Sequence, residues 1–253
     1  MSQSKMIELN NLTVNFERKI AISSLSFTVR KGELVALIGP SGAGKSTLLN
    51  TLTGINKPTS GEILIADTPL KNYKSSKQLA KKVGVIRQQF DLVGQLAVIN
   101  NVLAGRLADW GFFNSLVSLI SPRDKHLAVN ALKRVGLENK LFQQTSSLSG
   151  GEQQRVAMAR LLVQKPEIIL ADEPVSSLDP ARADDILSML TTLAHEEDLT
   201  LLASLHSVEL AKKYFNRIIG LRDGKIHFDL DTNDVTDDIL EKLYTIKEVN
   251  SYE

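Results

Sequence analysis

The chain has 253 residues, enough to bury a large core, and its 43% hydrophobic and 23% charged composition is that of a folded globular protein rather than a disordered or fibrous one. Thirty basic against 29 acidic residues leave a net charge of +1, so no overall field favours nucleic acid or an anionic membrane surface. The absence of cysteine excludes disulfides and thiolate metal sites and accords with a reducing compartment.

The opening MSQSKMIELNN lacks the basic start and continuous apolar stretch of a secretory signal. Period-two alternation then predicts short strands in MIELNNLTVNF (6–16), AISSLSFTVRKGE (21–33), LVALIG (34–39) and GEILIAD (61–67), an antiparallel flank leading into a buried strand. Directly after that buried strand stands GPSGAGKST, which fits G-x-x-x-x-G-K-[ST] in the strand-to-helix setting the motif requires. The small residues Gly39, Ser41, Gly42, Ala43 and Gly44, with Pro40 in the same phosphate-binding loop, let the backbone curl closely around that proline, so that amide hydrogens of the small residues and the following helix N-terminus converge on a polyphosphate. Lys45 neutralises the outer phosphates, and Ser46, followed by Thr47, places a hydroxyl where a hard cation such as magnesium bridges to phosphate oxygens. A plain glycine turn before an ordinary helix is the alternative, and it leaves Lys45 and Ser46 without a reason.

From about residue 88 to 157 the spacing turns helical, with apolar residues three and four apart in VINNVLAGRLA and HLAVNALKRVGL, which predicts a helical insert. Strand and helix units resume with IILADE, LTLLASLH and RIIGLRDGKI as strands and ARADDILSMLTTLAHEED as a helix, implying a largely parallel sheet whose ligands sit at strand carboxyl ends. At one such end lie Asp172 and Glu173. Adjacent side chains diverge there, so Asp172 is expected to hold the metal and Glu173 to polarise an attacking water, while an isolated Asp-Glu would be only a solvated turn. His206 ends another strand, where an imidazole can contact a terminal phosphate and orient that water. The other histidines, His126, His195 and His227, are read as structural.

The segment LSGGEQQR, 148–155, closely resembles the signature sequence of ABC-type ATPases. Taken alone it is an N-cap and turn before a helix. The phosphate loop, Gln88, this signature, the Asp172–Glu173 pair, SSLD at 176–179 and His206 nevertheless follow in the family's order, over nearly the whole chain. The resemblance implies an α/β fold: a P-loop NTPase, RecA-like core with an antiparallel β flank and an inserted α-helical subdomain. It implies one ABC ATPase domain over 1–253, with 1–88 and 158–227 forming the nucleotide-binding core, 89–157 the helical signature subdomain and 228–253 a C-terminal tail. It also implies ATP and Mg2+ as ligands, with Ser46, Gln88 and Asp172 at the metal and Glu173 and His206 catalytic. Ser149, Gly150 and Gly151 would face the nucleotide held by a second copy, and Asp179 would report across that interface. Gln88, chosen over its neighbour Gln89, would reach the metal and sense a membrane partner. Phe16 matches the aromatic that stacks on adenine; a core phenylalanine is its other reading.

Within that family, QQFDLVGQLAVINNVLAGRLADWGFFNSL, ILADEPVSSLDP and ASLHSVELAKKYFNRIIGLRDGKI look like the ATPases of phosphonate importers, with phosphite, phosphate or another oxyanion equally open as the cargo. The resemblance implies a homodimer of ATPase subunits, integral membrane permease subunits, a periplasmic or lipoprotein substrate-binding protein, no nucleic acid, and a peripheral place on the cytoplasmic face of the inner membrane. Trp110, Phe112 and Phe113 either touch the permease or cap the helical lobe's own core. The tail is read as a solvated face on a short helix opening near Thr236. An ABC system for another substrate, an exporter included, is a second reading. A soluble ABC protein of DNA repair or translation is a third, disfavoured because neither a second phosphate loop nor sustained heptads occur.

Overall fold

A computed structural model describes residues 4–17, 19–87, 91–110 and 124–245. In chain order the elements are β1 (Lys5–Phe16), β2 (Lys19–Arg30), β3 (Leu34–Ile38), α1 (Lys45–Leu52), β4 (Ser60–Ile65), β5 (Thr68–Pro69), α2 (Ser76–Ala80), β6 (Val83–Arg87) and α3 (Val98–Leu103). Then follow α4 (Lys125–Arg134), α5 (Gly150–Gln164), β7 (Ile168–Asp172), α6 (Pro180–Glu196), β8 (Thr200–Ser204), α7 (Val208–Tyr214), β9 (Arg217–Arg222), β10 (Lys225–Asp231) and α8 (Asp237–Tyr244).

The alternating strands of the first third form an antiparallel sheet in the order β2-β1-β4-β5. The second sheet runs β10-β9-β3-β8-β7-β6. Its pairings are parallel from β9 through β6, and only β10 returns antiparallel against β9. All five residues of β3 are buried, as a central parallel strand covered on both faces demands. Its alternate side chains serve two cores. Leu34, Ala36 and Ile38 pack with helices α3 to α7, whereas Val35 and Leu37 face α1 and the antiparallel flank. Each fully buried aliphatic side chain contributes about 1.5–3 kcal/mol, so β3 is the member that fastens both layers. It also carries the phosphate-loop sequence out of its carboxyl end.

Helices α3, α4 and α5 form a lobe held by Val98, Val102, Ala128, Leu132 and Val156, all of which are fully buried. Two differences from the sequence expectation stand out. Residues 83–87, expected as nothing in particular, form the edge strand β6 beside β7. RIIGLRDGKI is not one strand but a hairpin, β9 turning at Asp223 and Gly224 into β10. The boundary expected at 157 falls inside the continuous helix α5, and that expected at 227 falls inside β10. The tail helix α8 opens on Thr236, whose hydroxyl accepts from Ile239 N. Among the described residues no helix is long and apolar enough to cross a membrane.

Candidate functional site

The carboxyl ends of β3, β7 and β8 lie side by side, and the chemistry-bearing residues sit on them. Leaving β3, the chain passes Gly39 at φ 146, where a Cβ would stand 2.0 Å from the Leu221 carbonyl oxygen; only glycine fits. It enters α1 through Gly44, left-handed at φ 106, where a Cβ would meet Ala21 O at 2.7 Å. No side chain caps α1 and no acidic residue lies in its first turn. Its leading amides and the positive end of its dipole therefore remain available to an anion.

Lys45 is 5% exposed and folds back on the loop, its ammonium donating to Gly39 O at 2.7 Å and Pro40 O at 3.3 Å. Burial pushes its pKa below the ordinary lysine value, with the Glu173 and Asp172 carboxylates opposing that shift. The ammonium is thus held on carbonyls in a site that lacks strong anionic compensation, ready for phosphate oxygens. The open cleft over the loop, about 280 Å3, is lined by Phe16, Lys19, Ala21, the stretch 41–47 and Glu173. Phe16 is 49% exposed at the end of β1 and so is not a core residue; its ring is available as a platform beside the cleft.

Parallel register places Asp172 of β7 opposite Ser204 of β8. Ser204 Oγ donates to Asp172 Oδ1 at 2.7 Å and accepts from Glu173 N at 2.9 Å, and Ser46 Oγ donates to the same Oδ1 at 3.0 Å. Ser204 is fully buried. Glu173 adopts φ 50, a left-handed conformation that turns its carboxylate away from Asp172. There Glu173 Oε1 meets His206 Nε2 at 2.6 Å. The two acids therefore do separate work: Asp172 is tied to the loop hydroxyl, and Glu173 to the imidazole. Ser46 and Asp172 offer the hard oxygen donors that Mg2+ prefers. No cluster of three or more His, Cys, Asp or Glu able to hold a metal occurs among the described residues, so such an ion would complete its shell with water and phosphate oxygens. Gln88, Phe112 and Phe113 lie outside the described residues.

Ser149 caps α5, accepting from Glu152 N at 3.3 Å while the Glu152 carboxylate accepts from Ser149 N at 2.9 Å. Nothing approaches within 4 Å of a Cβ built on Gly150 or Gly151, and none of Ser149, Gly150 and Gly151 lines the phosphate cleft. Both glycines thus have open space where a side chain would stand, apart from the chain's own loop. Asp179, exposed, caps α6 by accepting from Arg182 N at 3.1 Å. Trp110 is half-buried; it packs on the helical lobe's core and also lines a cleft of about 510 Å3 between β6 and α3, together with Val83, Val85 and Leu107. Sequence reasoning missed two residues. Ser204 ties the two acids, and its only signal was a polar residue inside the apolar run LLASL. Gln154, fully buried, donates to the Pro174 carbonyl and joins α5 to the segment after Glu173.

A glycine-rich loop between a buried parallel strand and an uncapped helix, with an acidic strand end alongside, defines the P-loop class of α/β proteins, here with an antiparallel flank and a helical lobe. Comparison with known proteins narrows the class. The family model described as ABC transporter matches residues 22–176, more than half of the chain, and the chain belongs to that family. It is 42% identical over 248 residues to the Nostoc sp. protein named phosphonates import ATP-binding protein PhnC 1, covering 96% of this chain and 94% of that one. It is 45% identical over 233 residues to a protein of the same name from Pseudomonas savastanoi pv. phaseolicola, covering 91% and 88%. Among solved structures, the ATP-binding cassette MJ0796, a dimer in a post-hydrolysis state bound to ADP and Pi, superposes with a TM-score of 0.76 at 30% identity, covering 90% of this chain and 99% of that one.

Proposed function

We propose that this chain is the ATP-binding and ATP-hydrolysing subunit that energises an ABC importer, with phosphonates or a related phosphorus oxyanion as the cargo. The observation that carries it is geometric: phosphate loop, Asp172, Glu173 and His206 converge at adjacent strand ends, while the signature stands exposed away from that cleft. Relatives at 42% and 45% identity, named as phosphonate import ATP-binding proteins, support the cargo class.

In this reading Phe16 stacks on adenine, and the amides of Gly42 and of Gly44 to Thr47 wrap the phosphates, the Ala43 amide being held by Pro40 O at 3.1 Å. Lys45 exchanges its two carbonyl partners for phosphate oxygens, which the excess negative charge there rewards. Ser46 and Asp172, with Gln88 as the ligand the family resemblance adds, would hold Mg2+, which would supply charge neutralisation at the transferring phosphoryl group. Glu173 polarises the attacking water, and His206, donating to Glu173 Oε1, fixes the carboxylate and reaches the terminal phosphate. Ser149, Gly150 and Gly151 of a second copy close the cleft with a hydroxyl, unhindered amides and a helix N-terminus, and Asp179 lies at the seam. ATP therefore holds a head-to-tail homodimer together and hydrolysis releases it. The cleft beside Trp110 receives the permease, a substrate-binding protein delivers the cargo on the far side, and the chain works as a peripheral subunit at the cytoplasmic face of the inner membrane.

Glu173→Gln removes the base but keeps the cleft, so ATP should convert the full-length protein into a stable dimer on size-exclusion chromatography, with turnover reduced at least about 100-fold. A Glu173→Gln protein that binds ATP yet elutes only as monomer would refute the shared-site mechanism.

A further inference from the structure

The turn between β9 and β10 is fastened to the phosphate loop. Gly224 N donates to Ala43 O at 3.1 Å, and Gly224 O accepts from Ser23 N at 2.9 Å, so the turn is pinned to the loop and to β2 at once. In a trans peptide, C=O and N–H point in opposite directions. A donor that holds the Ala43 carbonyl on the turn side therefore turns the Gly44 N–H to the other side, and Gly44 lines the cleft. The orientation of one phosphate-binding amide thus depends on where this turn stands.

The turn is in turn held by the C-terminal helix. Arg222, the last residue of β9, donates from Nη1 to Lys242 O and from Nη2 to Thr245 O, both at 2.6 Å. Both carbonyls belong to the C-terminal end of α8, where helix carbonyls lack intrahelical partners and a cation meets the negative end of the dipole. Leu243 is fully buried and Val235 is 3% exposed, so α8 is itself anchored. Tyr244 faces Gly39 at the entrance to the loop: burial raises its phenol pKa, and the Gly39 amide acts in the opposite direction. Leu221, beside Arg222, places its carbonyl against Gly39. One continuous line of contacts therefore runs from α8 through Arg222 and the 223–224 turn to the Ala43–Gly44 peptide.

We propose that Arg222 is a positioning residue through which α8 sets the phosphate loop, so that docking of this helix governs nucleotide affinity. The proposal rests on the reading of the loop as a triphosphate cradle. Coupling is reciprocal: whatever displaces α8 weakens nucleotide binding from outside the cleft, and nucleotide binding tightens the docking of α8. The chemical steps at Glu173 and His206 stand on β7 and β8 and are not on this line.

Arg222→Met keeps the aliphatic body of the side chain and removes both donors, and Arg222→Lys restores the charge with a simpler donor. In the full-length protein, Arg222→Met should raise the Kd for ADP and the KM for ATP together by about fivefold, with kcat within about twofold of wild type, and Arg222→Lys should recover part of the loss. A variant that melts earlier but keeps wild-type Kd and KM would show Arg222 to be only a helix clamp and would overturn the proposal, as would a fall in kcat at constant KM. Should Arg222→Met not fold, Arg222→Gln, neutral and too short to reach both carbonyls, decides in its place: a Kd for ADP equal to wild type overturns the proposal. Wild-type protein that binds neither ATP nor ADP would instead sink the underlying reading of the loop.

Discussion

Lys45 shows how much of the site resides in single side chains. Its ammonium is buried with two backbone carbonyls as its hydrogen-bonding partners, and burial lowers its pKa. A bound triphosphate brings negative charge to it and raises that pKa again, so the complex prefers the protonated form more than the empty site does. The sign follows: affinity is full while Lys45 is charged in the empty protein and falls as pH rises through its lowered value. Titration calorimetry should therefore give a Kd for ATP that begins to rise with pH below the usual lysine value of about 10.4, with proton uptake on binding. A Kd independent of pH across that range would count against the assigned role. Lys45, Ser46, Asp172, Glu173 and His206, which the structure brings together, were legible in the sequence because each has a distinct functional group in a fixed local setting. Ser204 was not, because its partners arise from the register of β7 against β8, a long-range pairing that no local pattern encodes.

At the scale of elements, α5 joins the signature to the catalytic segment. Its N-terminus carries a reciprocal capping box, while Gln154 reaches the Pro174 carbonyl and Arg155 pairs with Asp185 of α6 at 2.5 Å. Ser149 thus has a structural duty separate from any phosphate contact. Ser149→Ala should cost about 1 kcal/mol, read as a drop of about 2–4 °C in the melting temperature of the nucleotide-free protein by calorimetry. An unchanged melting temperature would show the box to be idle. Period-two alternation made β1 and β2 readable, short continuous apolar runs β3, β7 and β8, and three-to-four spacing α6. β6 escaped because VGVIR is interrupted by a glycine and ends in arginine, and it runs directly into the segment read as helical from about residue 88. The β9–β10 hairpin was merged into one strand because both arms are apolar, although the Asp-Gly pair at 223–224 is the usual mark of a two-residue turn.

At the scale of the whole molecule, the six-stranded sheet gathers loop, acids and histidine at the carboxyl ends of its interior strands, and the helical lobe carries the signature to a separate patch of surface. That division was foreseen only through family resemblance, since no local rule says that a capped glycine helix must find its anion on another molecule. Under the proposed shared site, two crippled chains should repair each other. A Lys45→Ala chain retains a sound signature, and a Ser149→Arg chain retains a sound loop, so each hybrid pair contains one intact compartment and one doubly damaged. An equimolar blend of the two inactive proteins should regain roughly a quarter of the working compartments of wild type, measurable as phosphate release that neither parent produces alone.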